Sequence, residues 1–173
     1  MKKSVFLTFL GIIFSLTAFS QITVSSNMGL NANNQKNMLV ASSVSSFSDL
    51  NVMYQFKNFF VRSGLQLRAF TGPTLGYQIK EYTIPLYFGA FIKKNNFENL
   101  FGFGYTLSFP DKNAKYLTHS LGAFVEQRFY MSNKSYFTIG LNVNLHLKTS
   151  SSLLLYPNSS TALYIGYGIR FGK

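Results

Sequence analysis

Few residues in this chain have the types that nucleophilic catalysis requires. His119 stands directly before Ser120, and His146 is the one other histidine. A serine nucleophile needs a histidine base within hydrogen-bond reach and an acid that orients the base. Side chains of a strand alternate between its faces, so His119 would face outward, whereas Ser120 and Glu126 would face inward. We therefore predict no catalytic triad, and we expect inward-facing His146 to be hydrogen-bonded or solvated.

Residues of the types that bind metals and cofactors are also scarce. The chain of 173 residues contains no cysteine and only five acidic residues. The absence of cysteine excludes disulfides, thiol catalysis and cysteine-ligated metals. Two isolated histidines and scattered acids do not form a metal-ligand pattern, and no glycine-rich loop leads into a helix to hold phosphate. We expect no enzymatic activity, no metal and no cofactor.

A second group of residues carries charge on faces that alternation places together. The predicted inward polar cluster consists of Arg62, Arg68, Glu126, Arg128 and Arg170, with Asp49 as a further candidate. Buried charges must be paired or hydrogen-bonded, so we interpret the cluster as a structural plug. The alternative is a narrow passage that prefers anions.

The elements that must position these residues are strands. In residues 161–173 the outer face is apolar and ends in aromatics, and the opposite face is small or polar and carries Arg170. This alternation is typical of a strand with lipid on one side and a polar interior on the other. It predicts eight strands, over residues 22–30, 49–56, 59–70, 82–92, 97–109, 117–129, 136–147 and 161–173. The start of the second strand stays open back to residue 38.

Two details refine this pattern. Proline cannot donate to a strand ladder, so we expect a local bulge at Pro85. Many inward positions are glycine, among them Gly140 and Gly168. They could leave space for a ligand, but we interpret them as relief of crowding in a small interior.

Connection lengths and aromatics orient the strands. Connections after strands two, four and six are short, and those after strands one, three and seven are long, as between the periplasmic and outer sides of bacterial barrels. The polar segments 31–37 and 150–160 would then lie outside. Outward aromatics near the periplasmic ends would form an interfacial girdle: Tyr54, Phe56, Phe59, Phe97, Phe129, Phe137 and Phe171.

The amino terminus and the charge indicate export. A basic start, an apolar stretch and Ala18-Phe19-Ser20 predict a cleaved signal peptide over residues 1–20, followed by one domain over residues 21–173. The formal net charge is +11, but no basic cluster of the kind that nucleic-acid binding uses follows. Anionic lipid is the expected neighbour.

Taken together, these features resemble small bacterial outer-membrane β-barrel proteins of the OmpA/OmpX-like class. The resemblance is carried by the signal peptide ending before Gln21, the eight alternating segments, residues 82–86 (YTIPL) and residues 167–171 (YGIRF). It implies an all-β, eight-stranded antiparallel up-and-down transmembrane barrel in the outer membrane, in contact with lipid and lipopolysaccharide and inserted by the barrel-assembly machinery. The class typically ends on the terminal aromatic, whereas Gly172 and Lys173 follow Phe171 here.

Three hypotheses about function follow. The leading one is a non-enzymatic barrel with a structural or surface-interaction role, whose outer loops could meet an extracellular surface partner. The second is a lipid-A-modifying enzyme, because His119 and Ser120 resemble the serine and histidine that lipid A deacylase barrels use at the lipid face. The third is a soluble periplasmic barrel whose apolar faces point inward around an apolar ligand.

Overall fold

The computed structural model describes residues 20–34, 43–71, 78–110, 118–147 and 159–172. They form eight strands: β1 (Ser20–Asn34), β2 (Ser43–Phe56), β3 (Phe59–Thr71), β4 (Gln78–Lys94), β5 (Phe97–Pro110), β6 (Thr118–Tyr130), β7 (Ser135–Leu147) and β8 (Ser159–Phe171). Every strand pairs antiparallel with its sequence neighbours, and β8 pairs with β1 to close a barrel. The predicted all-β, eight-stranded up-and-down barrel is confirmed. Among the described residues, no helix is long and apolar enough to cross a membrane.

The barrel is apolar outside and polar inside. In β7, buried and exposed residues alternate without interruption from Tyr136 to Leu147. The exposed series is Phe137, Ile139, Leu141, Val143, Leu145 and Leu147, and the buried series includes Thr138, Asn142, Asn144 and His146. This inversion of the usual burial pattern suits a barrel surrounded by hydrocarbon. It also excludes the inward apolar face that the soluble ligand-binding hypothesis requires.

The strands are strongly staggered around the barrel. Following directly paired residues once around the barrel, from β1 through β2 to β8, leads from Ile22 back to Ala32, ten residues further along β1. A stagger of this size requires the strands to tilt, by about 35–45° in typical barrels. With eight strands, the resulting interior is just wide enough for side chains to fill it.

The two ends of the barrel differ. Short turns close one end, which we call the turn end, at residues 57–58, 95–96 and 131–134. Lys57 and Asn95 begin the two tightest turns with φ values of 51° and 54°, a left-handed conformation that asparagine tolerates better than lysine. The longer connections 35–42, 72–77, 111–117 and 148–158 lie outside the described residues. We call the opposite end, where they attach, the loop end.

Several strand boundaries differ from the predictions. β1 continues through Asn34, although residues 31–37 were expected to form a loop, because Asn31 and Asn33 face the polar interior and are buried there. β2 begins at Ser43 and β4 at Gln78. β8 begins at Ser159, within the predicted 150–160 loop. Residues 1–19 lie outside the described residues, so the signal peptide stays a prediction.

The predicted bulge at Pro85 is wrong. Ser63 pairs with Leu86, and Gln66 pairs with Thr83. The register is therefore identical on both sides of Pro85, and no extra residue is inserted. Proline has no N–H to donate, and the barrel accommodates this by interrupting the β3–β4 pairing locally. The Ser63 hydroxyl donates a hydrogen bond of 2.8 Å to the Pro85 carbonyl.

Candidate functional site

The polar interior gathers nearly all of the chain's arginine and carboxylate groups. Eight charged residues are buried in the part of the chain that the structure describes, each no more than 5% exposed: Asp49, Arg62, Arg68, Glu81, Glu98, Glu126, Arg128 and Arg170. They comprise all four arginines and four of the five acids in the sequence. The interior charges therefore balance, and the net positive charge of the chain comes from lysines.

Glu126 lies at the centre of this interior, between two arginines. Its carboxylate accepts hydrogen bonds from Arg62 Nη1 at 2.6 Å and from Arg128 Nε at 2.7 Å. The Tyr164 hydroxyl donates a third, at 2.8 Å. Arg62 Nη2 also lies 3.8 Å from an Asp49 carboxylate oxygen. Charge-assisted bonds of this kind are the strongest that side chains make, so Glu126 holds three strands of the wall to one point.

Towards the turn end, Glu98 repeats the arrangement. It accepts hydrogen bonds from Arg128 Nη1 at 3.3 Å and Arg170 Nη2 at 3.0 Å. Gln55 and Tyr130 donate two more, at 3.1 and 2.9 Å. The result is an alternating series of charges that we call the ion chain: Asp49, Arg62, Glu126, Arg128, Glu98 and Arg170. Its members come from five different strands, so it crosses the interior from wall to wall.

The structure places the predicted cluster inward but divides it. Arg62, Glu126, Arg128 and Arg170 belong to the ion chain, whereas Arg68 donates to the neutral Gln66 side chain at 2.9 Å. Asp49, a further candidate from sequence, joins the chain through Arg62. Two buried acids were missed. Glu98 has the inward parity of β5 and could have been found by the same alternation, whereas Glu81 precedes the predicted start of β4.

In the loop-end half of the interior the hydrogen-bond partners are neutral groups, including those of the buried Arg68 and Glu81. Ser120 Oγ lies 2.7 Å from His146 Nδ1, and Ser160 Oγ lies 3.2 Å from His146 Nε2. His119 faces outward and contacts the Tyr105 hydroxyl, so the predicted separation of His119 from Ser120 is confirmed. The Ser120–His146 pair was not predicted, because it depends on the β6–β7 register. Its second imidazole nitrogen faces a hydroxyl, not the carboxylate that a triad needs.

Glycines make room for the large interior rings. A Cβ atom on Gly140 would lie 2.3 Å from the Tyr164 ring, and one on Gly168 would lie 2.2 Å from the Tyr136 ring. The interpretation of these glycines as relief of crowding is confirmed. Beside Arg62 and Arg68 the interior leaves a cavity of about 10 Å³, roughly the space of one water molecule. Around Arg62 and Arg68 the interior is therefore closely filled by side chains.

The predicted girdle residues lie near the turn end on the outer wall. Phe59, Phe97, Phe137 and Phe171 are exposed, and Tyr54, Phe56 and Phe129 are half-buried against neighbouring rings. The Phe97 and Phe129 rings meet edge to face at 5.3 Å, a favourable aromatic geometry. That these rings mark a membrane interface stays a prediction.

Comparison with known proteins identifies the fold. No protein-family model and no curated protein sequence matches the chain. Among solved structures, Neisserial surface protein A is similar with a TM-score of 0.64, 12% identity and coverage of 88% of this chain and 97% of that one. The outer membrane enzyme PagL is similar with a TM-score of 0.56 and 10% identity, over 85% of this chain and 98% of that one. A third similar structure is the Yersinia pestis attachment invasion locus protein Ail in complex with the heparin analogue sucrose octasulfate. Its TM-score is 0.51 at 13% identity, over 88% of this chain and 99% of that one.

This chain has the fold of the small outer-membrane β-barrels. The likeness extends over nearly the whole of each compared chain. At these identities it carries the architecture and no residue roles. One of the three similar proteins is described as an enzyme, so the fold alone does not separate the catalytic hypothesis from the structural one.

Proposed function

We propose that the protein is an integral outer-membrane barrel with a sealed interior and a structural or surface-interaction role. The observation that carries the proposal is the ion chain, which crosses the interior between walls whose outer faces are apolar. Opposite charges joined at 2.6–3.3 Å occupy the middle of the interior, which supports a sealed barrel. The proposal includes insertion by the barrel-assembly machinery, with the short turns in the periplasm.

Location and closure are tested together by fractionation and gel mobility. We expect the protein to partition with outer membranes and to require detergent for extraction. On cold SDS gels the unboiled protein should migrate differently from the boiled one, because a closed hydrogen-bonded barrel resists the detergent. Recovery as a soluble periplasmic protein with no mobility shift would contradict the proposal.

The sealed interior is tested by conductance. Purified protein in a planar lipid bilayer should show no steady channels, with a large porin as the positive control. Glu126→Gln removes the acid shared by Arg62 and Arg128 and is the variant most able to loosen the plug. Steady anion-selective channels from the unaltered protein would instead favour the narrow passage that the sequence left as an alternative.

A surface partner is the second part of the proposal. Lys36, Lys112, Lys115 and Lys148 fall in the loop-end connections, where Asp111 is the single acid. One similar protein, Ail, is seen with a sulfated heparin analogue. We propose that the loop end meets anionic surfaces, lipopolysaccharide included. Binding of intact expressing cells to immobilised heparin, compared with cells that lack the protein, tests this: equal binding would contradict it.

The enzymatic alternative is tested on lipid A. Because His119 and Ser120 point to opposite faces, we expect the lipid A mass spectrum of expressing cells to match that of control cells. A mass change that disappears in His119→Ala or Ser120→Ala would establish the enzyme. A mass change that survives both would place the chemistry elsewhere on the barrel.

A further inference from the structure

The opening of the barrel at the turn end, which we call the turn-end mouth, contains two adjoining cavities of about 520 and 560 Å³. Gln21 and Lys93 line both of them. The first cavity is also lined by Lys134, Arg170 and the amides of Asn95, Asn96 and Asn133, and by no carboxylate among the described residues. Three cations and several amide donors therefore surround one polar space.

Two of these cations are held against a single ring. The Arg170 guanidinium lies 4.2 Å from the centre of the Tyr130 ring, and Lys93 Nζ lies 4.9 Å from it. Arg170 is 5% exposed, and its Nε is buried with no hydrogen-bond partner among the described residues. Cation–π contacts fix the two side chains in place. They do not neutralise the charge.

The hydrogen-bond acceptor positions of the nearest acid are already occupied. Glu98 accepts hydrogen bonds from Arg128, Arg170, Gln55 and Tyr130. A carboxylate has about four lone-pair positions, so Glu98 has no acceptor position left for Lys93. In the described part of the mouth, Lys93 makes no ion pair within 4.0 Å. Among the described residues, Glu98 is the single carboxylate that lines the mouth, against the cations Lys57, Lys93, Lys134 and Arg170. The mouth therefore carries an excess of positive charge in a partly enclosed space, where it attracts anions more strongly than on an open surface.

The neighbouring lysine supplies a natural comparison. Lys94 follows Lys93 at the end of β4 but lines a different depression, on the outer wall beside Phe97 and Asn99. Both lysines are exposed. They share residue type, exposure and position along the barrel, and they differ in whether the side chain borders the mouth cavity.

We propose that the turn-end mouth is a binding site for a small oxyanion of phosphate chemistry, held by Lys93, Lys134 and Arg170. Arg170 offers a buried Nε donor that has no hydrogen-bond partner among the described residues, Lys93 and Lys134 offer ammonium groups, and the asparagine amides complete the donor set. Two sources could supply the anion: a soluble phosphate-bearing molecule that enters along the barrel axis, or the phosphate of a lipid headgroup. The inference depends on the geometry of the mouth and is independent of the proposed structural role.

The test uses the full chain in nanodiscs of zwitterionic phosphatidylcholine. Inorganic phosphate is titrated at constant ionic strength while NMR reports the backbone amides of Asn95, Asn96, Lys134 and Gly172. We expect saturable shifts. Lys93→Gln and Lys134→Gln should each weaken binding by about threefold to fivefold, the loss expected for one charge in a partly wet site. Lys94→Gln is the matched control and should leave the affinity unchanged.

The two sources are separated by repeating the titration in nanodiscs that contain phosphatidylglycerol. If this lipid shifts the same amides and blocks inorganic phosphate, the anion is a headgroup; unchanged phosphate binding indicates a soluble anion. Shifts that grow linearly without saturation would overturn the proposal. So would equal losses from Lys93→Gln and Lys94→Gln, because the chain would then attract only a diffuse counterion atmosphere.

Discussion

Arg62 and Arg68 are the same residue type on the same inner face of β3, and each is 3% exposed. Arg62 donates to Glu126 at 2.6 Å and approaches Asp49 at 3.8 Å. Arg68 donates to the amide oxygen of Gln66 at 2.9 Å. The comparison extends to the two halves of the interior. The ion chain holds the centre and the turn end, whereas at the loop end the buried Arg68 and Glu81 are hydrogen-bonded to neutral side chains.

The difference shows that two equally buried arginines can contribute differently to the stability of the barrel. Removing one member of a buried ion pair leaves its partner charged and without compensation. Removing a neutral partner costs only a hydrogen bond and the desolvation of the group left behind. The turn-end half should therefore tolerate few single substitutions, whereas the loop-end half should tolerate many. Five substitutions test this contrast.

The largest effect is expected at Arg62. Arg62→Gln leaves Glu126 short of one counter-charge and Asp49 without its ion pair, so we expect a loss of about 3–5 kcal/mol in the free energy of unfolding. Urea-induced unfolding in lipid vesicles, followed by gel mobility of unboiled samples, measures it. The control is Lys80→Gln, at an exposed position of β4, which should change little. A loss at Arg62 no larger than the control would show that the ion chain does not stabilise the barrel.

A smaller effect is expected where glycine faces a tyrosine ring whose hydroxyl donates to the ion chain. Gly140→Ala would push a methyl group against the Tyr164 ring, 2.3 Å away, and displace the hydroxyl that donates to Glu126. We expect a loss of about 1–3 kcal/mol, as for other overpacked cores, in the same unfolding assay.

The loop-end half supplies the matched glycine. A Cβ on Gly122 would meet the Asn144 side-chain oxygen at 2.5 Å and the Tyr87 hydroxyl at 2.8 Å. These are the outer atoms of their side chains, and the Asn144 amide can rotate away. Gly122→Ala should therefore cost less than Gly140→Ala, and the reverse order would contradict the division into a rigid half and an adaptable one.

Alternation along the strands was sufficient to predict the fold and the face of the strand on which each site residue lies. It places Arg62, Arg128 and Arg170 inward without any knowledge of the barrel, because side-chain direction is a local property of a strand. It could not identify the partners. Arg62 and Glu126 lie 64 positions apart, and they meet only because the stagger of the closed barrel brings β3 and β6 across from one another.

The other differences between prediction and structure come from properties of the closed barrel that no local sequence pattern describes. Ser120 and His146 are brought together by the β6–β7 register, which the sequence does not state. Asn31 and Asn33 were assigned to a loop because asparagine favours turns in water. In this barrel the strand interior is itself polar, so polarity does not mark the end of a strand. Pro85 does not cause the predicted bulge, because the barrel accommodates the missing N–H by interrupting the β3–β4 pairing there.

At Ser120 we expect a loss of one neutral hydrogen bond. Ser120→Ala removes the hydroxyl 2.7 Å from His146 Nδ1 and should lower the free energy of unfolding by about 0.5–1.5 kcal/mol. Ser26→Ala, on the exposed outer face of β1, is the control and should cost less. A loss as large as that of Arg62→Gln would mean that the Ser120–His146 pair is part of a charged network.

The smallest effect is expected at Arg68, and it decides the comparison. Arg68→Gln removes a buried charge that has a neutral partner, so the lost hydrogen bond is offset by the removal of a costly desolvated charge. We expect the free energy of unfolding to change by less than about 1 kcal/mol in either direction, measured beside Arg62→Gln under identical conditions. Glu81 pairs with Arg68 in the β3–β4 register but forms no ion pair with it among the described residues. If Arg68→Gln is as destabilising as Arg62→Gln, and Glu81→Gln restores the stability, the two residues form an ion pair in the membrane. The loop-end half would then depend on charge as much as the turn-end half does.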